Sequence, residues 1–340
     1  MKKRKILFFN LIIFIFFICI IEGIFGYWFS ENNFGIYMRK ERKLNIKREM
    51  IFDNVKFEHH YKRNFYGFRG EEFDPKDVKI IFEGGSTGNQ EYIPEEFTIV
   101  GNLNKLFDKD KINIKIYNAS TNGKSTVGYI NDFLFWFPKI PNFNPTYVIF
   151  YLGINDVFRD NTVHHYDYKV SSNNLDKVKD YIKNNSFIVD RYKKIKNKYF
   201  PSKDNVPYGL YTEDLYKNFN FLNFLDINTK NDTSNIQKKE FVRKFNKRLN
   251  NLNIILKENS IIPIFITQIE YDGLRNKKLF LINNETKKFA KNNNYLLVPL
   301  DEIAQMSEGD FYDAIHTTPQ GSKKIAKLIY PYLKKFLTFK

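Results

Sequence analysis

The run Tyr147-Val148-Ile149-Phe150-Tyr151-Leu152 constrains the fold more than any other segment. An apolar run without alternation does not suit a strand with one wet face; it fits a strand covered on both sides, as in the middle of a parallel sheet. Other short segments join it. Val78–Phe82 ends in Gly84-Gly85, Ile112, Ile114 and Ile116 alternate with polar residues, and Ile261–Ile266 and Tyr295–Val298 follow later. Helical spacings lie between them: Phe97, Val100, Leu103, Leu106 and Phe107; then Tyr129, Ile130, Phe133, Leu134 and Phe137, closed by Pro138 and Pro141. Further helices are predicted from Gln237 to Glu258, up to about Ala290, and from Ser322 to Phe336. Such alternation predicts an α/β fold, a three-layer α/β/α sandwich around a parallel five-stranded sheet. Ligands of such sheets bind past the carboxyl ends of the strands, so the loops there carry the chemistry.

The N-terminus is of another kind. Lys2-Lys3-Arg4-Lys5 precedes an apolar stretch from Ile6 to Phe29, interrupted by Asn10, Glu22, Gly23 and Gly26. As a helix it spans roughly 36 Å at 1.5 Å per residue, enough for a bilayer core of about 30 Å. Tyr27 and Trp28 suit the interface, and Glu22 lies near the far end, where water reaches it. A cleaved signal peptide competes with this reading, but no small-x-small pair occurs between Ile20 and Asn33, which favours an uncleaved anchor. The basic tip favours a cytoplasmic N-terminus and an exported main domain, although Arg39, Lys40, Arg42 and Lys43 reduce the asymmetry. The expected organisation is an anchor at 1–30, a stalk and lead-in segment at 31–76, and a main domain at 77–340. An insertion rich in Asn, Lys, Asp and Tyr interrupts that domain at about 157–235, either a cap over the site or a surface excursion.

Composition narrows the function. With 43% hydrophobic and 17% aromatic residues the chain is neither disordered nor collagen-like. Its net charge of +16 would attract polyanions, yet Asp and Glu are interspersed along it, which favours a solvated Lys-rich background. No nucleic-acid-binding motif is present. The single cysteine, Cys19, allows neither an internal disulfide nor a Cys-based zinc site. His59-His60 and His164-His165 have no carboxylate or Cys partners at ligand spacing, so surface histidines are expected rather than a metal site.

Four segments stand where strands hand over to loops. Gly84-Gly85-Ser86-Thr87 can present a hydroxyl at a helix start, or serve only as an N-cap. Asn118–Gly123 follows the second strand. Gly153-Ile154-Asn155-Asp156 follows the third, with Asn155 able to aim an amide at developing charge or simply to turn the chain. Asp313-Ala314-Ile315-His316 precedes the last helix; a carboxylate there can fix the imidazole tautomer and leave the other nitrogen as a base. Gly123-Lys124-Ser125-Thr126 invites a phosphate-loop reading, but Asn118 stands where that motif needs glycine.

Taken in order, these segments resemble the motif blocks of the SGNH hydrolase superfamily, also called GDSL-like lipases and esterases, over about residues 78–336. Asn64–Gly70 also looks like the lead-in of membrane-anchored members. Gly84-Gly85-Ser86 replaces the usual Gly-Asp-Ser, a variant associated with exported members, and Glu83 stands where an apolar residue is commoner; a place beside the site, altering substrate choice, is expected for it. The resemblance implies a flavodoxin-like sheet and a serine hydrolase with Ser86 as nucleophile, His316 as base and Asp313 orienting it. It further implies an oxyanion hole from the N–H groups of Ser86 and Gly123 and the Asn155 side chain, with Asp156 holding the loop and no metal or organic cofactor. The expected function is a membrane-anchored esterase of O-acyl groups, chiefly O-acetyl, on an extracytoplasmic carbohydrate, without nucleic acid partners. An acyltransferase of cell-surface polysaccharide and a non-catalytic glycan-binding module are the alternatives.

Overall fold

The computed structural model describes residues 2–26, 28–29, 46–52, 55–158, 174–189, 191–192, 195, 235–271 and 277–338. Most of the expected insertion and His164-His165 lie outside the described residues. The chain divides into two compact units, residues 1–40 with 169–208, and residues 41–168 with 209–340.

The larger unit opens with a hairpin of β1 (Ile46–Phe52) and β2 (Val55–Tyr61), paired antiparallel from Ile46↔Tyr61 to Phe52↔Val55. The main sheet follows: β3 (Ile80–Gly84), β4 (Ile116–Asn118), β5 (Tyr147–Tyr151), β6 (Ile262–Ile266) and β7 (Leu296–Val298). All its pairings are parallel, in the order β4-β3-β5-β6-β7. Counted within this sheet the order is 2-1-3-4-5, the flavodoxin-like arrangement, and β5 is the central strand its sequence requires.

Strand periodicity sends alternate side chains to opposite layers. Ile80, Phe82, Ile149, Tyr151, Ile264 and Ile266 share one core with α3 (Ile99–Lys109) and the C-terminal helix, Pro319–Thr338. On the opposite face Phe150 stacks on Phe265 at 5.6 Å and meets Tyr129 of α4 (Thr126–Asn131), while Phe265 meets Phe289 of the Lys277–Asn292 helix. The long helix Asn235–Glu258 packs against α4 and that helix. The three layers are therefore as the sequence predicts. The second strand differs: Ile112 and Ile114 alternate with polar residues but form no ladder, because the Ile114 amide bonds the Ile112 carbonyl at 2.8 Å, and pairing with β3 starts only at Ile116.

Much of the lead-in packs within this unit. Tyr61, Arg63, Asn64, Phe68 and Arg69 are buried. The Arg69 amide donates to the Asn118 carbonyl at 2.9 Å, so this segment covers the outer edge of β4 and leaves less of it open to strand addition. Phe68 has no exposed surface and its ring lies 5.1–6.0 Å from those of Phe73, Trp136, Phe137 and Phe143.

The smaller unit contains α1 (Lys2–Phe25), whose Arg4–Phe25 stretch is long and apolar enough to cross a membrane, a test that a signal sequence also passes. It also contains the helix Asn174–Asn185. Glu22 is not left to water. Its carboxylate accepts from Trp28 Nε1 at 2.8 Å, Ser186 Oγ at 2.5 Å, and the Phe187 and Ile188 amides at 3.0 and 3.1 Å.

Phe68→Ala is expected to cost about 3–5 kcal/mol, the usual range for emptying a buried aromatic site. Urea denaturation of the detergent-solubilised chain measures it; a change below about 1 kcal/mol would mean that the lead-in contributes little to stability.

Candidate active site

Ser86 opens α2 (Ser86–Asn89), one turn of helix directly after β3. Its hydroxyl therefore stands at the carboxyl end of the sheet. The turn needs glycine at 85 for steric reasons: a Cβ there would lie 2.1 Å from Asn155 Nδ2 and 3.3 Å from the Lys124 carbonyl oxygen.

His316 lies 230 residues away in sequence, and its Nε2 is 2.7 Å from Ser86 Oγ. Its Nδ1 is 2.6 Å from Asp313 Oδ2. Asp313 Oδ1 accepts from the amides of Ile315 and His316 at 2.9 and 2.7 Å. Burial pushes the Asp313 carboxyl up, but the charge of His316 and these hydrogen bonds outweigh it and hold the group below its ordinary value. An ionised Asp313 keeps the proton on Nδ1, which leaves the Nε2 lone pair to accept the Ser86 hydroxyl proton. The ring of Tyr312 stacks on His316 at 5.6 Å and 8°. Their loop is pinned by the Phe311↔Thr317 bridge and by the Tyr271 amide, which donates to the Ala314 carbonyl at 2.8 Å. Ser86, Asp313 and His316 are thus brought together in a hydroxyl–imidazole–carboxylate chain, the geometry in which a histidine can activate a serine.

The remaining site residues of the sequence meet on the same side. Asn155, in α5 (Ile154–Phe158), donates from Nδ2 to the Lys124 carbonyl at 2.9 Å, and that nitrogen lies over Gly85. Gly123 has φ +75°, the left-handed region that favours glycine, with open space where a Cβ would be. Asp156 turns away from the site. It accepts from Thr126 Oγ1 at 2.5 Å, the Thr126 amide at 3.1 Å and Arg248 Nη2 at 3.1 Å, tying the 123–126 loop to the Asn235–Glu258 helix.

Lys124 shows why a phosphate-loop reading fails here. Its side chain points into the protein, fully buried. The ammonium pairs with Glu83 at 2.6 Å and with Asp132, donates to the Ala119 carbonyl at 2.9 Å, and lies 5.4 Å from the Trp136 ring. Glu83 occupies the face of β3 opposite Phe82, as strand alternation dictates, and is fully buried beneath the Ser86 turn rather than beside the open site. Burial pushes its carboxyl up to about 8 against the opposing pull of Lys124. Burial alone would lower the Lys124 ammonium, but Asp132 and Glu83 outweigh it and raise it. A protonated Glu83 leaves one ammonium facing one carboxylate, a balanced charge in a dry interior.

Several supports have no sequence signature. Gln90, at φ +49°, donates to Thr317 Oγ1 and Ser322 Oγ at 3.0 and 2.6 Å and accepts from the Ile99 amide at 2.6 Å, joining the Ser86 turn to the His316 loop. Arg69 donates to the carbonyls of Asn89, Gln90 and Ile93. Arg63 donates to the Ser120 carbonyl and Asn89 Oδ1, both at 3.1 Å. Only their position beside a recognisable lead-in could have flagged the two arginines.

A parallel α/β sheet carrying this chain of groups at its carboxyl edge defines a hydrolase of the serine type. The family of GDSL-like lipases and acylhydrolases matches residues 81–329, and the chain belongs to it, within the SGNH superfamily; it is a serine hydrolase that acts on ester bonds. No curated protein matches. Similar solved structures include a psychrotrophic esterase, EstA, from Pseudoalteromonas sp., at 14% identity, TM-score 0.45, and 77% and 100% coverage of this chain and of that one. A putative lipolytic G-D-S-L protein from Desulfitobacterium hafniense shows 12% identity, TM-score 0.44, and 76% and 100% coverage. The SGNH-family esterase AlinE4 shows 14% identity, TM-score 0.40, and 77% and 97% coverage.

Gly85→Ala is expected to displace Asn155 and lower kcat for p-nitrophenyl acetate by about 10²-fold, the loss expected for the oxyanion donor that the resemblance implies at Asn155, with an unchanged circular dichroism spectrum. The second prediction concerns pH. Because Glu83 binds its proton more tightly folded (about 8) than unfolded (4.5), its contribution is full below pH 4.5 and lost as pH rises through 8. Wild-type stability should fall across that window, by up to about 1.4 kcal/mol per pH unit from this group. Glu83→Gln should remove that part of the slope in urea titrations, and a parallel pair of curves would refute the assignment.

Proposed function

We propose that Ser86 is the nucleophile, His316 the general base and Asp313 its orienting carboxylate, in a membrane-anchored esterase that removes O-acyl groups, chiefly O-acetyl, from an extracytoplasmic carbohydrate. The observation that carries the chemistry is the pair of short contacts at His316, 2.7 Å to Ser86 Oγ and 2.6 Å to Asp313. The substrate assignment is supported by the apolar Arg4–Phe25 helix and the basic tip before it, which together favour a single-pass anchor with the catalytic unit outside.

Ser86 Oγ attacks the ester carbonyl while its proton passes to His316 Nε2. The carbonyl oxygen becomes an oxyanion facing the N–H groups of Ser86 and Gly123 and the Asn155 amide. Collapse breaks the bond to the sugar oxygen, which takes the proton from His316 and leaves as the alcohol. Water then gives a proton to His316 as its oxygen attacks the acyl-Ser86 carbonyl; collapse releases the carboxylic acid, which ionises in solution, while the proton on His316 returns to Ser86 Oγ. Asp313 stays ionised throughout and stabilises the imidazolium.

The detergent-solubilised chain should hydrolyse p-nitrophenyl acetate and take up a fluorophosphonate probe. Ser86→Ala should lose labelling completely and turnover by at least about 10³-fold, in line with losses at nucleophiles of this kind. Retained labelling in Ser86→Ala would reject the assignment. Labelling of wild type without hydrolysis, but with acetyl transfer to an added oligosaccharide, would favour the acyltransferase.

A further inference from the structure

We propose that residues 174–195 form a second membrane contact, a basic amphipathic surface that lies on anionic lipid headgroups at the C-terminal end of α1. The proposal rests on the reading of α1 as the membrane anchor and concerns the smaller unit alone.

The helix Asn174–Asn185 exposes Leu175, Val178, Tyr181 and Ile182, which recur at helical spacing; Leu175 is 69% and Ile182 45% exposed. Ile188, Tyr192 and Ile195 continue the exposed apolar residues. So long a row of large apolar side chains is unusual on a surface that meets only water. The charges around it are strongly one-sided: residues 174–198 contain eight Lys and Arg against three Asp. Of these, Lys179 and Arg191 are exposed, and the Arg191 guanidinium lies 5.0 Å from the Phe187 ring. Apolar residues interleaved with cations describe a segment that lies in the interface plane and prefers anionic lipid.

Its level is set by α1. Ser186 Oγ and the amides of Phe187 and Ile188 all donate to Glu22, three residues before the helix ends at Phe25. Residues 187–189 are helical, and Ser186 accepts from the Val189 amide at 3.1 Å, so Glu22 supplies an anion to the start of a capped helical turn. Phe25 meets Phe187 at 5.3 Å and Trp28 meets Tyr181 at 5.8 Å. Trp and Tyr are the side chains that settle at the boundary between hydrocarbon and headgroups. If α1 crosses the bilayer, these contacts hold the basic segment at that boundary. A carboxylate that would be costly in an anchor becomes the tether of this second contact.

The test uses the full chain carrying Cys19→Ser, in nanodiscs of phosphatidylcholine with phosphatidylglycerol. Nitroxide labels are placed singly at Ile13→Cys, Lys179→Cys, Ile182→Cys and Ile188→Cys, and collision with oxygen is compared with collision with a water-soluble nickel chelate. The expected result is an oxygen-to-nickel ratio above unity at 182 and 188, the highest ratio at 13, and a ratio below unity at 179. In pure phosphatidylcholine the labels at 182 and 188 should shift towards nickel. Glu22→Ala should free the 188 label, narrowing its line, without changing the depth of the label at 13. Nickel access at 182 and 188 with lipid exposure at 13 would overturn the second contact and leave the anchor standing. Nickel access at 13 would overturn the anchor, and the contact with it. Protection of 182 and 188 from both probes would overturn the proposal in favour of a protein partner, such as a second copy of the chain.

Discussion

The ion cluster of Lys124, Glu83 and Asp132 is the interaction on which the site's construction depends. Its members come from three places: the end of β3, the loop after β4, and the turn after α4. Lys124 works at both ends. Its ammonium is fixed in the interior, while its carbonyl receives the Asn155 amide on the site side. A buried cation pairs strongly only where its partners are placed well, and breaking such a pair costs far more than the pair contributes over an apolar replacement. The cluster therefore counts mainly as a constraint: it fixes where the 123–126 loop can lie relative to the turn that presents Ser86.

Around that constraint the remaining supports are neutral or cationic side-chain donors. Arg63 and Arg69 reach from the lead-in to backbone carbonyls of Ser120 and Gln90, and Gln90 reaches onward to the hydroxyls of Thr317, in the loop before the last helix, and of Ser322, in that helix. Loops without regular hydrogen bonding need such partners when they are buried. The positioning is thus distributed over side chains that touch no reacting atom, while Ser86 and His316 themselves make few contacts beyond one another and Asp313.

This division explains what the sequence could reveal. β5 was legible because a doubly covered strand must be apolar throughout, and Asp313 and His316 because their spacing allows a carboxylate to reach the imidazole within one loop. The alternation of Ile112, Ile114 and Ile116 looked like a strand, but alternation reports only which faces are apolar; the ladder starts where β3 offers partners. Glu83 illustrates another limit. Its parity on β3 fixes the layer it enters, yet nothing local announces that Lys124, 41 positions later, meets it there. The same holds for Glu22, whose donors at 186–188 are about as remote in sequence as a residue in another domain. The lead-in had no hydrophobic period because its buried residues are mixed and irregularly spaced: Phe68 packs among aromatic rings while Arg63, Asn64 and Arg69 are held by hydrogen bonds, to which periodicity is blind.

The distance between Ser86 and His316 along the chain has a consequence for folding. The two are joined across 230 positions, with four sheet strands and the long Asn235–Glu258 helix between them. Contacts of such separation form late, since closing a long loop costs entropy before it yields contacts. A chain emerging from synthesis holds Ser86 early but has no imidazole beside it until the loop before the final helix docks. In the proposed mechanism, reactivity at Ser86 is thereby a signal of complete folding, and partly assembled chains pass through their most exposed stage with that serine still inert.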